Sequence, residues 1–309
     1  MVLTNPNITL AGSIGSGKST VGQILAERLK CEFISIGKIF RSIGKSSNLD
    51  TLQTNLAAES NADIDRKVDD FIVQRAQSDT PFIMDSRMAW HFVPKSLKVY
   101  LYASPKTAVN RVYTDKSRET EKYSSRGIAL DHILDRRKSE LARYRRLYDV
   151  DIDDIDNYDL FVVTDGAKPT EIAQLILRCL SPSTSSKSWI KPSQLVPMMT
   201  AATIDKPPVN EDSVQRNTLA ALILQLFDGY GFVFHGGSQL ATILKDEDFF
   251  VPFIDQESEE ASFEQNLIKQ AALLGDEHFA DWEHLVGPKI ALKREIFGDE
   301  SHLLNQGDL

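Results

Sequence analysis

The stretch "GSIGSGKS" (12–19) constrains this chain more than any other. It follows a short apolar run, "ITLAG" (8–12), and precedes "STVGQILAERLK" (19–30), whose apolar residues recur at helical spacing. The pattern GxxxxGK[ST] between a strand and a helix predicts a phosphate-binding loop. Glycines let the backbone turn tightly enough for successive N–H groups to point at one anion, and the helix N-terminus adds its partial positive charge. Gly12, Ser13, Ile14, Gly15, Ser16, Gly17, Lys18, Ser19 and Thr20 would then cradle ATP. Lys18 reaches the β- and γ-phosphates, and the Ser19 hydroxyl holds Mg²⁺.

The pattern beyond this loop predicts an α/β unit. "CEFISI" (31–36), "PFIMDS" (81–86), "SLKVYLYA" (96–103) and "YDLFVVTD" (158–165) are short runs rich in β-branched and aromatic residues, separated by polar helical stretches. Such alternation gives a parallel sheet with helices on both faces, closed by "EIAQLILRCL" (171–180) as a last amphipathic helix. The tract "SPSTSSKS" (181–188) reads as a linker. Three domains of organisation follow: a phosphate-loop unit over 1–180, the linker, and a smaller α+β unit over 189–309 with an acidic helical tail. In the second unit, Asp228-Gly229 predicts a hairpin turn. A helix is expected near 212–221, and Gly236-Gly237 would open another over 238–245.

The ends of the second and third strands bear on where the phosphate goes. "FISIGKIFR" (33–41) sets Ser35, Gly37 and Arg41 at a strand end and the first turn of a helix. Glycine there allows a ligand close approach, and arginine one turn on can grip a phosphate with two hydrogen bonds. "FIMDSR" (82–87) ends the third strand with Asp85 and Arg87. In an open α/β sheet these strand ends share one crevice with the phosphate loop.

The first 180 residues resemble nucleoside monophosphate kinases of the cytidylate kinase-like, archaeal-type group. The resemblance rests on the phosphate loop, on Ser-x-Gly-x-x-x-Arg at Ser35, Gly37 and Arg41, and on "DIDRKVDDF" (63–71), "DSRMAW" (85–90) and "RRKSELARYRRLYDVDIDDIDNYDLFVVTD" (136–165). It implies that Arg41 and Arg87 hold the acceptor's phosphate and that Asp85 sits near Mg²⁺ through water. Asp65 and Asp69, four apart on one helix face, would accept hydrogen bonds from the acceptor's base or sugar; the alternative is a solvated face paired with Arg66 or Lys67. Arg111 would cover the donor base, and Arg136 and Arg143 would reach the phosphates of both substrates. Arg118 and Arg126 fall in a polar, lid-like loop, where either is catalytic or merely solvated, and Arg145 and Arg146 read as surface. Two departures touch the acceptor side: Lys38 replaces a common acidic residue, and "DSR" replaces Glu-Gly-Arg or Asp-Gly-x-x-Arg.

Residues 189–255 resemble a ParB-like, sulfiredoxin-fold domain through "WIKPSQLVP" and "FDGYGFVFHGGSQLATILKDEDFFVPFID". Gln239 stands where that family's phosphate-binding arginine would fall, and His235 reads as structural. The resemblance implies a module for specificity, regulation or assembly, with a protein partner or self-association as its use.

A net charge of −9 argues against broad nucleic-acid binding without excluding a local basic site. Two cysteines are too few for a disulfide framework, which fits a reducing, cytoplasmic setting. No apolar run approaches the roughly 18 residues of a membrane span. The leading expectation is ATP- and Mg²⁺-dependent phosphoryl transfer to a nucleoside monophosphate, CMP or dCMP favoured. The alternatives are a kinase for a modified nucleotide, a nucleic-acid base or another small phosphorylated metabolite, and a nucleotide-responsive switch acting through the second unit.

Overall fold

The computed structural model describes residues 7–46, 62–115, 123–180, 186–198, 222–234, 249–255 and 274–279, together with Leu240, Ile243, Leu244 and Arg294. The chain divides into two compact units, Met1–Ser185 and Ser186–Leu309.

The first unit holds five strands. These are β1 (Ile8–Gly12), β2 (Glu32–Ser35), β3 (Phe82–Asp85), β4 (Leu97–Tyr102) and β5 (Leu160–Val163). They pair in the order β2-β3-β1-β4-β5, every pair parallel, with Leu10 opposite both Asp85 and Val99. Among the described residues seven helices connect or close them: α1 (Lys18–Leu29), α2 (Ile36–Ser46), α3 (Ala62–Ala76), α4 (Ala89–Phe92), α5 (Pro105–Thr114), α6 (Arg126–Tyr148) and α7 (Pro169–Cys179).

Right-handed crossovers settle the layering. The β1-to-β2 step runs one way along the sheet and the later steps run the other way, so α1 lies on the face opposite α2, α3 and α4. The packing agrees: α1 rests on β3 and on α7, whereas α3 packs against α2 and α4. The sheet is therefore buried on both sides, which is why its strands read as continuous apolar runs. In β3, Phe82 and Met84 join Val68, Ile72 and Ala89 in one cluster. Ile83 and Asp85 point to the other face by strand alternation. Ile8, Leu10, Val21 and Leu25 are fully buried, and each such side chain contributes about 1.5–3 kcal/mol.

Helix starts are fixed by local chemistry. Ser104 and Ser125 cap α5 and α6, accepting hydrogen bonds from Thr107 N at 3.3 Å and Ile128 N at 3.2 Å. Pro169 opens α7, and Glu171 accepts from Lys168 N at 2.9 Å. By contrast, no side chain caps α1, whose first residue follows Gly17.

The second unit is a mixed sheet of β6 (Ser188–Ile190), β7 (Leu195–Pro197), β8 (Leu222–Phe227), β9 (Tyr230–Val233) and β10 (Val251–Asp255). Its order is β6-β10-β8-β9-β7. The pairs β6–β10 and β8–β9 are antiparallel, while β8–β10 and β7–β9 are parallel. Asp228 (φ 44°) and Gly229 (φ 83°) turn the β8–β9 hairpin, the two positive φ values that a two-residue type I′ turn requires. Val196, Met198, Phe232 and Phe279 form its core. The tract 181–188 is shorter as a linker than its composition implied, because Ser188 already pairs with Phe253. The helix expected near 212–221, His235, Gly236, Gly237 and Gln239 lie outside the described residues, as does most of the acidic tail. Leu240, Ile243 and Leu244 are helical and buried. Among the described residues no helix is long and apolar enough to cross a membrane.

Gly12 leaves β1 at φ 126°, and a Cβ there would lie 2.0 Å from the Leu101 carbonyl oxygen. That neighbour is backbone of the adjoining strand and cannot turn aside. Gly12→Ala should destabilise the protein by more than about 3 kcal/mol, read as a fall in the urea-unfolding midpoint of the purified variant.

Candidate active site

The phosphate loop is built from β1 outward. Ser13 N donates to Leu101 O at 3.0 Å, holding the loop's start against β4. Gly15 (φ 75°) and Gly17 (φ 89°) carry the chain around to α1. At Gly17 a Cβ would meet nothing within 4 Å, so that glycine faces open space and its positive φ is what excludes other residues. The first amides of α1 have no side-chain partner and face an anion site.

Lys18 bends back over its own loop. Its Nζ donates to Gly12 O at 3.0 Å, Ser13 O at 2.6 Å and Ser16 Oγ at 3.4 Å. All three partners are neutral oxygens. Burial, and then the charge of Arg87, push the ammonium well below the ordinary lysine range; Asp85 and Glu140 oppose this. The site holds a desolvated cation that a phosphate would satisfy. Ser19 Oγ donates to Asp85 Oδ2 at 2.6 Å. A hydroxyl and a carboxylate at the edge of an anion site form an all-oxygen donor set, the kind Mg²⁺ takes alongside phosphate and water.

These groups line a cleft of about 940 Å³. Among the described residues, Lys18, Lys38, Arg41, Arg87, Arg111 and Arg136 face it, against Asp85 and Asp115. In a chain of net charge −9 this is a strong local reversal of sign. Arg111, in the last turn of α5, donates to Gly15 O at 3.2 Å, to Thr164 Oγ1 at 3.0 Å and to Thr164 O at 2.6 Å. Ser35 ends β2 in the same cleft, and its buried hydroxyl has no hydrogen-bond partner.

A smaller pocket of about 80 Å³ shares Gly37, Arg41, Asp85, Arg87 and Arg136 with the cleft. Phe40, Val68, Ile72 and Met88 make it apolar, and Asp65, Asp69, Arg143 and Tyr144 give it polar edges. The α3 carboxylates face α6. Asp65 Oδ2 lies 3.6 Å from Arg143 Nε, and the Tyr148 hydroxyl donates to Asp69 Oδ2. The Arg143 guanidinium also sits over the Tyr144 and Phe40 rings, at 4.9 and 5.6 Å. A solvated α3 face is thereby ruled out for Asp65 and Asp69; it is Arg66 and Lys67 that are exposed. Burial raises Asp69 to about 6, with the charges of Asp65 and Asp70 adding to the rise and the Tyr148 hydrogen bond opposing it.

The residue that sequence reasoning missed is Glu140. Its Oε2 accepts from Arg87 Nε at 2.7 Å and its Oε1 from Arg136 Nε at 3.0 Å. Burial works against its charge, but the two guanidinium groups outweigh it and hold the carboxyl well below the usual range. The available signal was the four-residue spacing from Arg136 to Glu140 on one helix. Arg87 also donates to Gly12 O at 2.9 Å, and its own carbonyl accepts from Trp90 Nε1 at 2.9 Å. Two arginines fall away from the cleft: Arg126 is exposed, donating to Asn110 Oδ1 at 3.1 Å, and Arg145 is exposed beside Asp151. Arg118 lies outside the described residues.

Residues 8–144 match the AAA domain family. A cytidylate kinase of Methanobrevibacter smithii is 32% identical over 173 residues, covering 56% of this chain and 97% of that protein. A cytidylate kinase of Saccharolobus islandicus is 36% identical over 176 residues, covering 56% and 90%. The solved structure of shikimate kinase from Acinetobacter baumannii, in complex with shikimate, aligns over 57% of this chain and 93% of its own. Its identity is 22% and its TM-score 0.40.

Replacing Lys18 by Met separates binding from stability. The folded-state pKa of Lys18 is depressed, so at neutral pH folding buries a charge that prefers water, and this cost disappears only above the unfolded lysine pKa. Gly12 O keeps Arg87 as a partner and Ser13 O keeps Ser16 N. Lys18→Met should therefore raise stability without nucleotide by about 1–2 kcal/mol at pH 7, while abolishing the rise in melting temperature that ATP gives the unaltered protein.

Proposed function

The chain belongs to the cytidylate kinase family of nucleotide kinases, and from that premise we propose that its first unit transfers the γ-phosphoryl group of ATP to a nucleoside monophosphate, with CMP or dCMP favoured. One observation carries this reading: the cleft beside the phosphate loop and the smaller pocket meet at Arg41, Arg87 and Arg136. A protein that gives its phosphate to water needs no second lined pocket. One that joins two phosphates needs cations where the two meet.

Each side chain has a role in that scheme. Residues Gly12–Thr20 hold the donor's phosphates through backbone amides, with Lys18 on the β- and γ-groups and Arg111 beside the donor's base. Ser19 and Asp85 would hold Mg²⁺, which supplies charge neutralisation at the β- and γ-oxygens. Arg41 and Arg87 bind the acceptor's phosphate, and the Ser35 hydroxyl gains its missing partner there. An acceptor phosphate oxygen attacks the γ-phosphorus in line, the bond to the bridging β–γ oxygen breaks, and ADP and a nucleoside diphosphate leave. The negative charge on the equatorial oxygens is met by Lys18, Arg136 and Arg143. The attacking oxygen is already ionised, so no strong general base is required, and positioning with electrostatic stabilisation supplies the rate.

The pocket's carboxylates favour cytosine over uracil. Asp65 and Asp69 accept hydrogen bonds, which suits the exocyclic amine of cytosine; uracil offers a carbonyl at that place, and two acceptors repel. We assign the second unit a part in specificity, regulation or assembly.

Release of ADP from ATP–Mg²⁺, measured with ribo- and deoxyribonucleoside monophosphates in turn, tests the reading. CMP or dCMP should turn over best, and Arg87→Ala should lower kcat/KM by about 100-fold or more. Silence with every acceptor, in protein that still binds ATP, would sink it. Asp69→Asn should raise the KM for CMP about tenfold and narrow the preference over UMP. As pH falls through about 6, Asp69 takes up a proton, loses its charge and becomes a weaker acceptor. The KM for CMP should therefore rise below that pH in the unaltered protein and stay flat in Asp69→Asn.

A further inference from the structure

Glu140 is a carboxylate in a place built for phosphates. It is 3% exposed, on the stretch of α6 between Arg136 and Arg143. Its charge repels the anions the site must hold, and burial strips it of water. Its hydrogen bonds give a reason for its presence. Glu140 takes the Nε donor of both Arg87 and Arg136, at 2.7 and 3.0 Å, and Arg87 goes on to Gly12 O at 2.9 Å. The end of β1, the loop after β3 and the middle of α6 are thus joined through two guanidinium groups and one carboxylate.

The Nε atom lies nearest the arginine stem, so a hydrogen bond there sets the plane of the guanidinium. Two arginines sharing one acceptor group also lie closer together than their charges would otherwise allow.

On the kinase reading above, we propose that Glu140 is a positioning residue that orients Arg87 and Arg136 as one unit. The acceptor's phosphate and the migrating phosphoryl group then meet guanidinium groups already in place.

Electrostatics and positioning predict opposite signs, which makes the inference testable. If Glu140 were only a nearby negative charge, removing it would tighten the binding of a polyanion. If it positions the arginines, removing it weakens binding and slows transfer. Glu140→Gln in the full chain keeps the shape, but an amide offers one acceptor where the carboxylate offered two, so one arginine is released.

The experiment measures kcat, the KM values for ATP and CMP, the melting temperature, and the affinity for inorganic tripolyphosphate by calorimetry. The expected result is a fall in kcat of about 100-fold, a raised KM for CMP, whose phosphate Arg87 holds, and weaker tripolyphosphate binding. Where Glu140→Gln does not fold, Glu140→Asp keeps the charge but shortens the reach, and the same fall in kcat is expected. A lower melting temperature with kcat unchanged per folded molecule would reduce Glu140 to a structural role and overturn the proposal. If the unaltered protein transfers phosphate to no monophosphate, the kinase reading fails by itself. Tripolyphosphate then decides for Glu140: weaker binding in the variant upholds positioning, and equal or tighter binding overturns it.

Discussion

Cations gathered at one site repel one another, and the site of this protein depends on how that repulsion is held in check. Six basic side chains face a single cleft. Those at its heart lean on oxygens of the fold. Lys18 rests on the carbonyls of its own loop, Arg111 on Gly15 and Thr164, and Arg87 and Arg136 on Glu140. The carbonyls come from the ends of parallel strands and the loops that leave them. The order β2-β3-β1-β4-β5 is therefore what makes the charge arrangement affordable: it brings those ends to one edge of the sheet.

Helix α6 borders the smaller pocket. Its 23 residues set Arg136, Glu140 and Arg143 on one stripe by their spacing of four and three. An amphipathic helix of a small domain usually turns an apolar stripe inward. Here the inward stripe is charged over its middle, and α3 answers it with Asp65 and Asp69. Such a contact contributes little net stability, because desolvation offsets most of the attraction. What it provides is a fixed relation between two helices that border the smaller pocket.

Much of this was legible in the sequence. The run Ile8–Gly12 is a strand with the bounds its apolar residues implied, and the loop after it needed only its glycines and lysine to be recognised. Strand ends carrying Ser35, Asp85 and Arg87 pointed to the right crevice because parallel topology leaves few other places for them. Side-chain partnership across the fold was not legible. Asp65 and Asp69 read equally well as a solvated face, since nothing local says which side of α3 meets α6. Glu140 drew no notice in the sequence, because its second partner comes from β3's loop, 53 residues away. Ser188 belonged by composition to the linker, and only its pairing with Phe253 makes it a strand.

The hydrogen bonds of Lys18 have a kinetic side. Its ammonium donates to Gly12 O and Ser13 O, carbonyls of its own loop. A phosphate arriving there does not find a vacant hook; it competes with the loop's own oxygens for the same protons. Binding is then an exchange of partners, and departure is the reverse exchange, with the carbonyls waiting. A nucleotide kinase, which must release nucleotide on every cycle, gains more from a grip it can release than from a tighter one.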